Sequence, residues 1–445
     1  MTDSKRFVWG VATAAFQIEG ATTADGRGES IWDRFASGAG NIAHGDTGEP
    51  ACEHYYRWRE DLDLMQSLGL QGYRFSISWP RIQPTGRGPA NQRGLDFYRG
   101  LVEGLLERGI QPLATLYHWD LPQALQDEGG WGSRDVVDRF VEYAGLLFDG
   151  LGDLVPAWIT HNEPWVTSIL GYATGSKAPG LRDWPTALRA AHHSLLAHGA
   201  AVQAYRATGR EGEIGITLDL TVAIPATDTE ADREAAKRLD GHRNRWFLDP
   251  IFRGSYPEDM IALYESRFGP LDAIQAGDLV TIAQQLDFLG INFYCPNWAS
   301  AVDNGVLDVA DATPDGGRTA MDWPIAPGSF TDLLLRVRDD YGEIPLLITE
   351  NGAAFDDVLD GGEVVEDPLR VAYLREHIAA VERAEANGVD VRGYYVWSLL
   401  DNFEWEWGYE KRFGIVFVDF PTQRRIPKRS ALWYRDLIAR SNAGL

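Results

Sequence analysis

Two glutamates stand at the ends of apolar segments and could act together on one bond. Glu163 ends the segment 157–163, and Glu350 ends the segment 345–350. Paired carboxylates across a pocket are the arrangement that cleaves glycosidic bonds, because one protonates the leaving oxygen while the other acts at the anomeric carbon. If the two lie ~5 Å apart, their repulsion keeps one of them protonated near neutral pH. Spacing alone does not say which one is the acid.

Five further polar or aromatic residues lie at the ends of apolar segments. Any single one could be a solvated loop residue or a helix cap, since such residues are common after strands. Their number favours another interpretation, in which the ends of several strands meet around one pocket. The five are His118, Asn162, Asn292, Tyr294 and Trp397.

Eight short apolar segments alternate with stretches of helical periodicity, which is the pattern of parallel strands joined by crossover helices. Eight strands close a TIM barrel, and the carboxyl ends of such strands build the active site. We therefore predict an α/β fold, a (β/α)8 TIM barrel with long loops that forms a single domain over residues 1–445. The predicted strands are 7–14, 72–79, 111–118, 157–163, 213–220, 287–294, 345–350 and 391–398.

The stretches between the strands carry helix and loop signals. Trp58, Leu62 and Met65 repeat at helical spacing, and Gly69 stands where a left-handed helix end is common. The Asp- and Gly-rich stretch 302–322 has five Asp residues without the spacing or the terminal Glu of a calcium loop. We predict a crossover helix for the first and a long solvated loop without metal for the second.

Composition limits the partners and the compartment. With 41 basic and 65 acidic residues the net charge is −24, which disfavours nucleic acid and membrane surfaces as partners. Lys5 and Arg6 precede the apolar run 7–16, which resembles a signal peptide in outline, but we predict that this run is the first strand. Only Cys52 and Cys295 are present, so a disulfide framework is impossible and a cytoplasmic location is predicted.

The motifs resemble those of glycoside hydrolase family 1, the β-glucosidase family, from FVWGVATAAFQIEG near the start to RIPKRSALWYRDLI near the end. THNEP (160–164) is similar to the acid/base motif of that family and ITENG (348–352) to its nucleophile motif. The resemblance implies that Glu163 is the acid/base and Glu350 the nucleophile of a retaining β-glycosidase, most simply a β-glucosidase. The implied substrates are small β-glycosides, and neither a metal nor an organic cofactor is needed for this chemistry.

The resemblance also implies a set of substrate-binding residues. Asn162 is expected to grip the 2-hydroxyl, Trp397 to form the floor under the sugar, and Arg74 and Tyr294 to hold the nucleophile; otherwise the last two would be a structural ion pair and a core tyrosine. Trp165 and Trp323 are expected to form the walls for the aglycone, although loop tryptophans often only anchor a loop. The implied substrate-binding set is Gln17, His118, Trp119, Asn162, Asn292, Tyr294, Trp397, Glu404, Trp405 and Phe413.

Related enzymes differ at some of these positions. Phospho-β-glycosidases place Ser and Tyr where this chain has Glu404 and Phe413, so unphosphorylated substrates are expected, although Lys411 fits either class. Thioglucosidases have Gln where this chain has Glu163, so ordinary O-glycosides are expected. Glu53 and Tyr56 depart from the family pattern at the start of a helix. Phe330, where Leu is usual, is expected to change the packing of the aglycone loop.

The sequence is compatible with two other functions. A sugar-binding protein on a decayed hydrolase barrel would be expected to lose one of the two glutamates, and both are present. A transglycosidase would share every residue named above. The histidines His192, His193 and His198 lie in an Ala- and Leu-rich helix without a metal-binding spacing, and we predict structural roles for them. The oligomeric state and the preferred glycone are not predicted.

Overall fold

The computed structural model describes residues 7–303 and 305–443, and eight parallel strands within them close into a barrel. Lys5 and Arg6 lie outside the described residues. Strands follow one another around the ring in chain order, and the first pairs with the last to close it. Each predicted segment overlaps one strand of the ring, so the TIM barrel is confirmed. The strands are β1 (Val8–Ala12), β2 (Gly72–Ser76), β3 (Gln111–Tyr117), β4 (Ala157–Asn162), β5 (Glu213–Asp219), β6 (Phe288–Asn292), β7 (Leu346–Asn351) and β8 (Val391–Trp397).

The strands are buried on both faces, which explains why the sequence shows apolar runs rather than strict alternation. Every residue of β2, β4 and β6 is buried. One face packs on the surrounding helices, and the other fills the barrel, where polar side chains such as Arg74 and Thr115 bond to one another. The polar interior of the barrel therefore leads directly to its carboxyl-end mouth.

Long helices surround the barrel and connect its strands. The main crossover helices are His54–Ser67, Gln92–Glu107, Asp135–Leu151, Trp184–Ala207, Gly328–Tyr341 and Pro368–Ala386, and Arg429–Asn442 follows the last strand. Between β5 and β6 the chain forms Glu230–Asp240, Trp246–Phe252, Glu258–Phe268 and Asp278–Ile282. Shorter helical segments are Ala15–Ile18, Ile31–Ala36, Trp79–Ile82, Gln123–Gln126, the wide turns Val166–Thr174 and Gly241–Arg245, and the tight turns Ala24–Gly26, Ala43–Gly45, Gly130–Gly132 and Trp405–Trp407. None of the helices in the described ranges has the length and apolar character needed to cross a bilayer.

The predicted crossover helix before β2 is confirmed as His54–Ser67. Leu62 and Met65 are buried, and Gly69 follows with a φ of 68°, the left-handed conformation that ends helices. Glu53, one of the two departures from the family pattern, precedes this helix and pairs with Arg57 within it.

The prediction of a continuous loop over 302–322 was wrong in part. Val309–Asp311 forms a short strand that pairs with Asn297–Ala301, which in turn pairs with Ala223–Pro225. The Arg238 side chain donates to the backbone oxygen of Leu307 and thereby anchors the segment. A three-residue strand has no measurable periodicity, so tertiary contacts decided a structure that local sequence could not indicate. A two-stranded antiparallel pair, Val416–Asp419 with Arg424–Pro427, follows the last barrel strand.

Phe330 and the three helical histidines pack inside the protein. Phe330 is buried and stacks on Phe293 with 4.5 Å between ring centroids, and its effect on the packing of the aglycone loop stays a prediction. His192 pairs with Asp278 over 2.8 Å. The Nδ1 atoms of His193 and His198 lie 2.8 Å from the backbone oxygen of Trp131 and 2.7 Å from the hydroxyl of Thr160. Each of the three therefore tethers its helix, the structural role that was predicted.

Candidate active site

A cavity of about 410 Å³ opens at the carboxyl ends of the barrel strands, a size typical of small-molecule sites. A larger depression of about 1140 Å³ lies at the opposite ends of the strands but holds no pair of buried carboxylates. The smaller cavity contains eleven of the predicted site residues: His118, Trp119, Glu163, Trp165, Tyr294, Trp323, Glu350, Trp397, Glu404, Trp405 and Phe413. The other four, Gln17, Arg74, Asn162 and Asn292, are buried; the last three bond to lining residues, and Gln17 bonds to Asn402 and Phe403, which directly precede Glu404.

Glu163 directly follows β4 and has an unusual backbone conformation. Its φ is 51°, in the left-handed region that non-glycine residues rarely adopt, and its backbone nitrogen donates to the Thr217 carbonyl over 3.0 Å. The Asn292 amide donates to Oε1 of Glu163 over 2.5 Å. Such strain is typical of functional sites, because surrounding contacts must hold the residue in place.

Glu350 lies near the end of β7 and accepts two hydrogen bonds from charged or polar donors. Arg74 Nη1 donates to Oε1 over 2.6 Å, and the Tyr294 hydroxyl donates to Oε2 over 2.7 Å. Gly352 follows in ITENG at a place where a Cβ atom would meet the Trp397 carbonyl oxygen at 1.7 Å. Only glycine allows β7 and β8 to approach this closely beside the carboxylate.

The two carboxylates have different electrostatic environments. Burial, followed by repulsion from Asp219 and from Glu350, raises the pKa of Glu163 well above its ordinary value. Burial also raises the pKa of Glu350, but the Arg74 cation and the Tyr294 hydroxyl oppose that effect. Because Arg74 forms its ion pair with Glu350, Glu350 is the carboxyl of the two that ionises more readily.

A chain of hydrogen bonds connects the two carboxylates through the barrel interior. Arg74 Nη2 donates to Oδ1 of Asn162 over 2.5 Å, and Asn292 Nδ2 donates to that same oxygen over 3.1 Å as well as to Glu163. The Thr349 hydroxyl donates to Oδ1 of Asn292 over 2.7 Å and thereby fixes the amide orientation. The relative position of the two carboxylates is set by this buried network rather than by surface loops.

His118 offers one ring nitrogen to a ligand. The Asn162 amide lies 3.1 Å from Nε2 of His118, so this nitrogen is the acceptor, and the Nδ1 atom carries the proton. Burial, together with the Arg74 cation, lowers the pKa of His118 well below its usual value, so the ring is neutral. Nδ1 is buried and has no hydrogen-bond partner among the described residues. It is free to donate to a hydroxyl in the cavity.

Gln17 and Glu404 provide further buried polar atoms. Gln17 Nε2 donates to Asn402 Oδ1 over 3.0 Å and to the Phe403 carbonyl over 2.9 Å, which leaves its Oε1 without a partner in the described chain. Glu404 Oε2 is likewise unpartnered there, and burial raises the pKa of this carboxyl to about 8. Buried polar groups are normally paired, so this group of open positions indicates a polar ligand with several hydroxyls.

Aromatic rings form the walls of the cavity around these polar atoms. The rings of Trp119 and Trp405 lie 4.6 Å apart, and both residues have positive φ values, 83° and 50°. Trp397, the predicted floor, lies beside His118 with 5.8 Å between the ring centroids. A sugar ring has apolar C–H faces that pack well on such surfaces.

The residues predicted for the aglycone line the same cavity. Trp323 packs on Tyr294 and Phe413, with centroid distances of 5.1 and 5.9 Å. Trp165 donates from Nε1 to His242 over 3.0 Å, and the Arg243 guanidinium lies 3.7 Å from its ring centroid. One face of Trp165 is therefore covered by a cation.

Sequence reasoning missed several cavity residues, including Lys177, Asp219, Arg243, Glu406 and Trp407. Asp219 ends β5, so the same signal that pointed to Glu163 and Glu350, a polar residue closing an apolar strand, could have found it. The others lie in loops and turns, where no periodic pattern marks them. Among the residues described, no three His, Cys, Asp or Glu side chains come together as a metal site would.

Comparison with known proteins adds an independent observation. The family model described as glycosyl hydrolase family 1 matches residues 2–443. β-Glucosidase A of Acetivibrio thermocellus is 47% identical over 441 residues, covering 98% of each chain, and the bifunctional β-D-glucosidase/β-D-fucosidase of Bifidobacterium breve is 44% identical, covering 99% of this chain and 98% of its own. The crystal structure of the family 1 β-glucosidase from Exiguobacterium antarcticum B7 superposes with a TM-score of 0.97 at 47% identity over 100% of both chains.

Proposed function

The chain belongs to glycosyl hydrolase family 1 and is a β-glucosidase-type glycoside hydrolase, and we propose that Glu163 and Glu350 perform its double displacement on terminal β-D-glucosyl residues of small glycosides and oligosaccharides. The observation that carries this assignment is the pair of buried carboxylates with opposite environments at the barrel mouth. Glu350 is held by a cation and a phenol, whereas the pKa of Glu163 is raised further and this group retains the proton.

In the first step Glu350 attacks the anomeric carbon while Glu163 gives its proton to the leaving oxygen, so the aglycone departs as an alcohol. Glu350 loses its negative charge when it becomes bonded to the sugar, so its repulsion no longer raises the pKa of Glu163. Glu163 is then ionised and can accept a proton. In the second step water attacks the glycosyl-enzyme, and Glu163 removes the proton from that water. Two displacements at one carbon retain its configuration.

The glycone is held by the open polar atoms of the cavity. His118 Nδ1 donates to one hydroxyl, and Gln17 Oε1 and the carboxyl of Glu404 take others, since these atoms have no partner in the described chain. Trp397 supports the sugar face, with Trp119, Trp405 and Phe413 around it. Asn162 and Asn292 grip the 2-hydroxyl side, where hydrogen bonds strengthen in the transition state.

Two observations favour unphosphorylated glucose-type substrates over phosphorylated ones. Glu404 and Glu406 both line the cavity, and a sugar phosphate placed there would be repelled by the Glu406 carboxylate and would meet the buried Glu404 carboxyl rather than a cation. The name of the Bifidobacterium relative pairs β-glucosidase with β-fucosidase activity. We infer that this chain, too, acts on β-fucosides, which lack the 6-hydroxyl, and on β-galactosides, more slowly than on β-glucosides.

A non-catalytic sugar-binding role is not favoured, because both carboxylates are present and oriented by partners that would be unnecessary for binding alone. Transglycosylation uses the same residues and is a side reaction in this proposal, with an acceptor alcohol in place of water.

The proposal extends to location and domain organisation. The two cysteines are unpaired, which supports a cytoplasmic location. The strands from β1 to β8 close one barrel, which supports a single domain over residues 1–445.

The test measures hydrolysis of 4-nitrophenyl β-glucoside, β-fucoside and β-galactoside by the wild-type chain. Proton NMR identifies which anomer of the sugar is released first. We expect kcat/KM to be highest on the glucoside and the β-anomer of glucose to appear first. Early release of α-glucose would contradict the double displacement. Absence of hydrolysis of all three β-glycosides would contradict the proposed function as a whole.

A further inference from the structure

Arg243 is built into the wall of the active-site cavity but is not part of the predicted substrate-binding set. It lies in the wide turn Gly241–Arg245, between β5 and β6. The neighbouring His242 accepts a hydrogen bond from Trp165 Nε1, while Arg243 covers the ring face of that tryptophan at 3.7 Å. This turn therefore fixes Trp165 on two sides at once.

The turn itself is held rigidly to the end of β5. The backbone nitrogen of Thr221 donates to Asn244 Oδ1 over 3.0 Å, and Asn244 Nδ2 donates to the Thr221 carbonyl over 2.8 Å. Arg243 Nη2 donates to Asp219 Oδ2 over 2.6 Å. The guanidinium is thus placed by side-chain contacts rather than by a mobile loop, as a selective binding group must be.

Most N–H groups of Arg243 remain available. A guanidinium has five N–H donors, and in the described chain only the bond to Asp219 uses one of them. Nε is buried without a partner in those residues, and the side chain as a whole is 17% exposed beside the cavity. An unpaired buried donor is costly, so this arrangement favours a ligand that brings acceptor oxygens.

The charges around Arg243 indicate which class of ligand could accept its hydrogen bonds. Asp219 neutralises Arg243, and Lys177 pairs with Glu406, which leaves the negative charge of Glu350 in the same cavity. An anionic aglycone would be repelled on balance, whereas a neutral polyol gains donors without that penalty. The hydroxyl oxygens of a sugar fit these requirements.

We propose that Arg243 determines aglycone specificity by donating hydrogen bonds to the hydroxyls of a sugar aglycone held against Trp165, so that disaccharides are favoured over alkyl glucosides. This inference rests on the proposed function, because it assigns the subsite beside the acid/base Glu163. Arg243 touches the aglycone and not the reacting carbon. Its effect therefore depends on the aglycone and not on the glycone.

The experiment compares kcat/KM on cellobiose and on hexyl β-glucoside, which share the glycone and release alcohols that both need protonation. The variant is Asp219→Asn/Arg243→Met, and the reference is Asp219→Asn alone. Removing both charges together avoids an unpaired Asp219, whose repulsion would raise the pKa of Glu163 and slow every substrate. We expect the cellobiose-to-hexyl ratio to fall about tenfold, the worth of one charge-assisted hydrogen bond.

Arg243→Lys is the second variant, since it retains a cation beside Asp219 and should preserve the fold. Its ammonium lacks the planar fork, so its cellobiose-to-hexyl ratio should also fall relative to the wild type, by about threefold. An unchanged ratio in every variant that folds, judged by circular dichroism, overturns the inference. Wild-type inactivity on cellobiose, hexyl β-glucoside and 4-nitrophenyl β-glucoside would instead overturn the proposed function, so the two failures are distinct.

Discussion

Asn292 donates through Nδ2 to Oε1 of Glu163 over 2.5 Å, and the pairing of β6 with β7 places the same residue in register beside Glu350. One amide thus lies between the proposed acid/base and the proposed nucleophile. Its bond to Glu163 favours the ionised form of that carboxyl, and it acts in the same direction on Glu350. Asn292 therefore tunes both groups together.

Replacing Asn292 with Ala is expected to shift the whole pH profile of kcat/KM to higher pH. The pKa of Glu163 sets the basic limb and that of Glu350 the acidic limb, and both should rise when the amide is lost. We also expect the maximal rate to fall about tenfold, because the acid loses a positioning bond. Asn387→Ala, on an exposed helix end, is the control. A profile of unchanged position would contradict the proposed tuning.

Glu163→Ala should discriminate substrates by their leaving group. Loss of the acid should reduce kcat/KM on cellobiose roughly 10³-fold, since the alcohol must be protonated to leave. 2,4-Dinitrophenyl β-glucoside, whose phenolate leaves unaided, should lose far less in kcat/KM. Added azide should give β-glucosyl azide. Glu376→Ala, an exposed carboxylate, is the control, and equal losses on both substrates would contradict the acid role.

Glu350→Ala should instead abolish turnover whatever the leaving group, by roughly 10⁴-fold, because no glycosyl-enzyme can form. Azide then attacks the substrate directly and should give the α-glucosyl azide from an activated substrate. NMR of the product decides the configuration. A β product from this variant would reverse the assignment of the two glutamates.

Arg74 variants test how the nucleophile is kept ionised. Arg74→Met removes the cation that lowers the pKa of Glu350, so the acidic limb of kcat/KM should move to higher pH. Arg74→Lys restores the charge but lacks the planar group that reaches both Glu350 and Asn162. The acidic limb of kcat/KM should therefore return toward its original pH, while the maximal rate stays about tenfold reduced. If both variants kept the wild-type limb, the Arg74 contact would be structural only.

The barrel could be predicted from the sequence because strand runs and helical stripes recur with regular periods. Each of the eight predicted segments overlaps a barrel strand, and the residues that close them, such as His118 and Glu350, line one cavity. The short strand Val309–Asp311 could not be predicted, since three residues show no period and its pairing depends on contacts remote in sequence.

The finer features of the site also depend on tertiary structure. The left-handed conformations of Trp119, Glu163 and Trp405 carry no local sequence signal, because side chains of these types rarely adopt them. The placement of Arg243 over Trp165 joins residues 78 positions apart along the chain. Family motifs predicted the residues proposed to bind the glycone, whereas Arg243, on the proposed aglycone side, lies in a turn that only the folded chain places beside Trp165.

The buried carboxyl of Glu404 makes a prediction about stability. Burial raises its pKa to about 8, whereas the unfolded chain has the ordinary value of about 4.3. Between these values the folded form holds a proton that the unfolded form has lost, so the free energy of unfolding decreases as the pH rises through this window. Fully developed, the slope is about 1.4 kcal/mol per pH unit.

Glu404→Gln removes this pH dependence of the free energy of unfolding, because an amide does not titrate. We expect the melting temperature of this variant to approach or exceed that of the wild type progressively as the pH increases from about 5 to about 8, with little further change above that range. Glu363→Gln, at an exposed position, should show no such trend. The same variant should bind glucose more weakly, because a carboxyl that accepts from a sugar hydroxyl is replaced by an amide. A difference in melting temperature that is constant across this pH range would mean that Glu404 is already ionised in the folded enzyme, and that its unpartnered oxygen is charged before the sugar arrives.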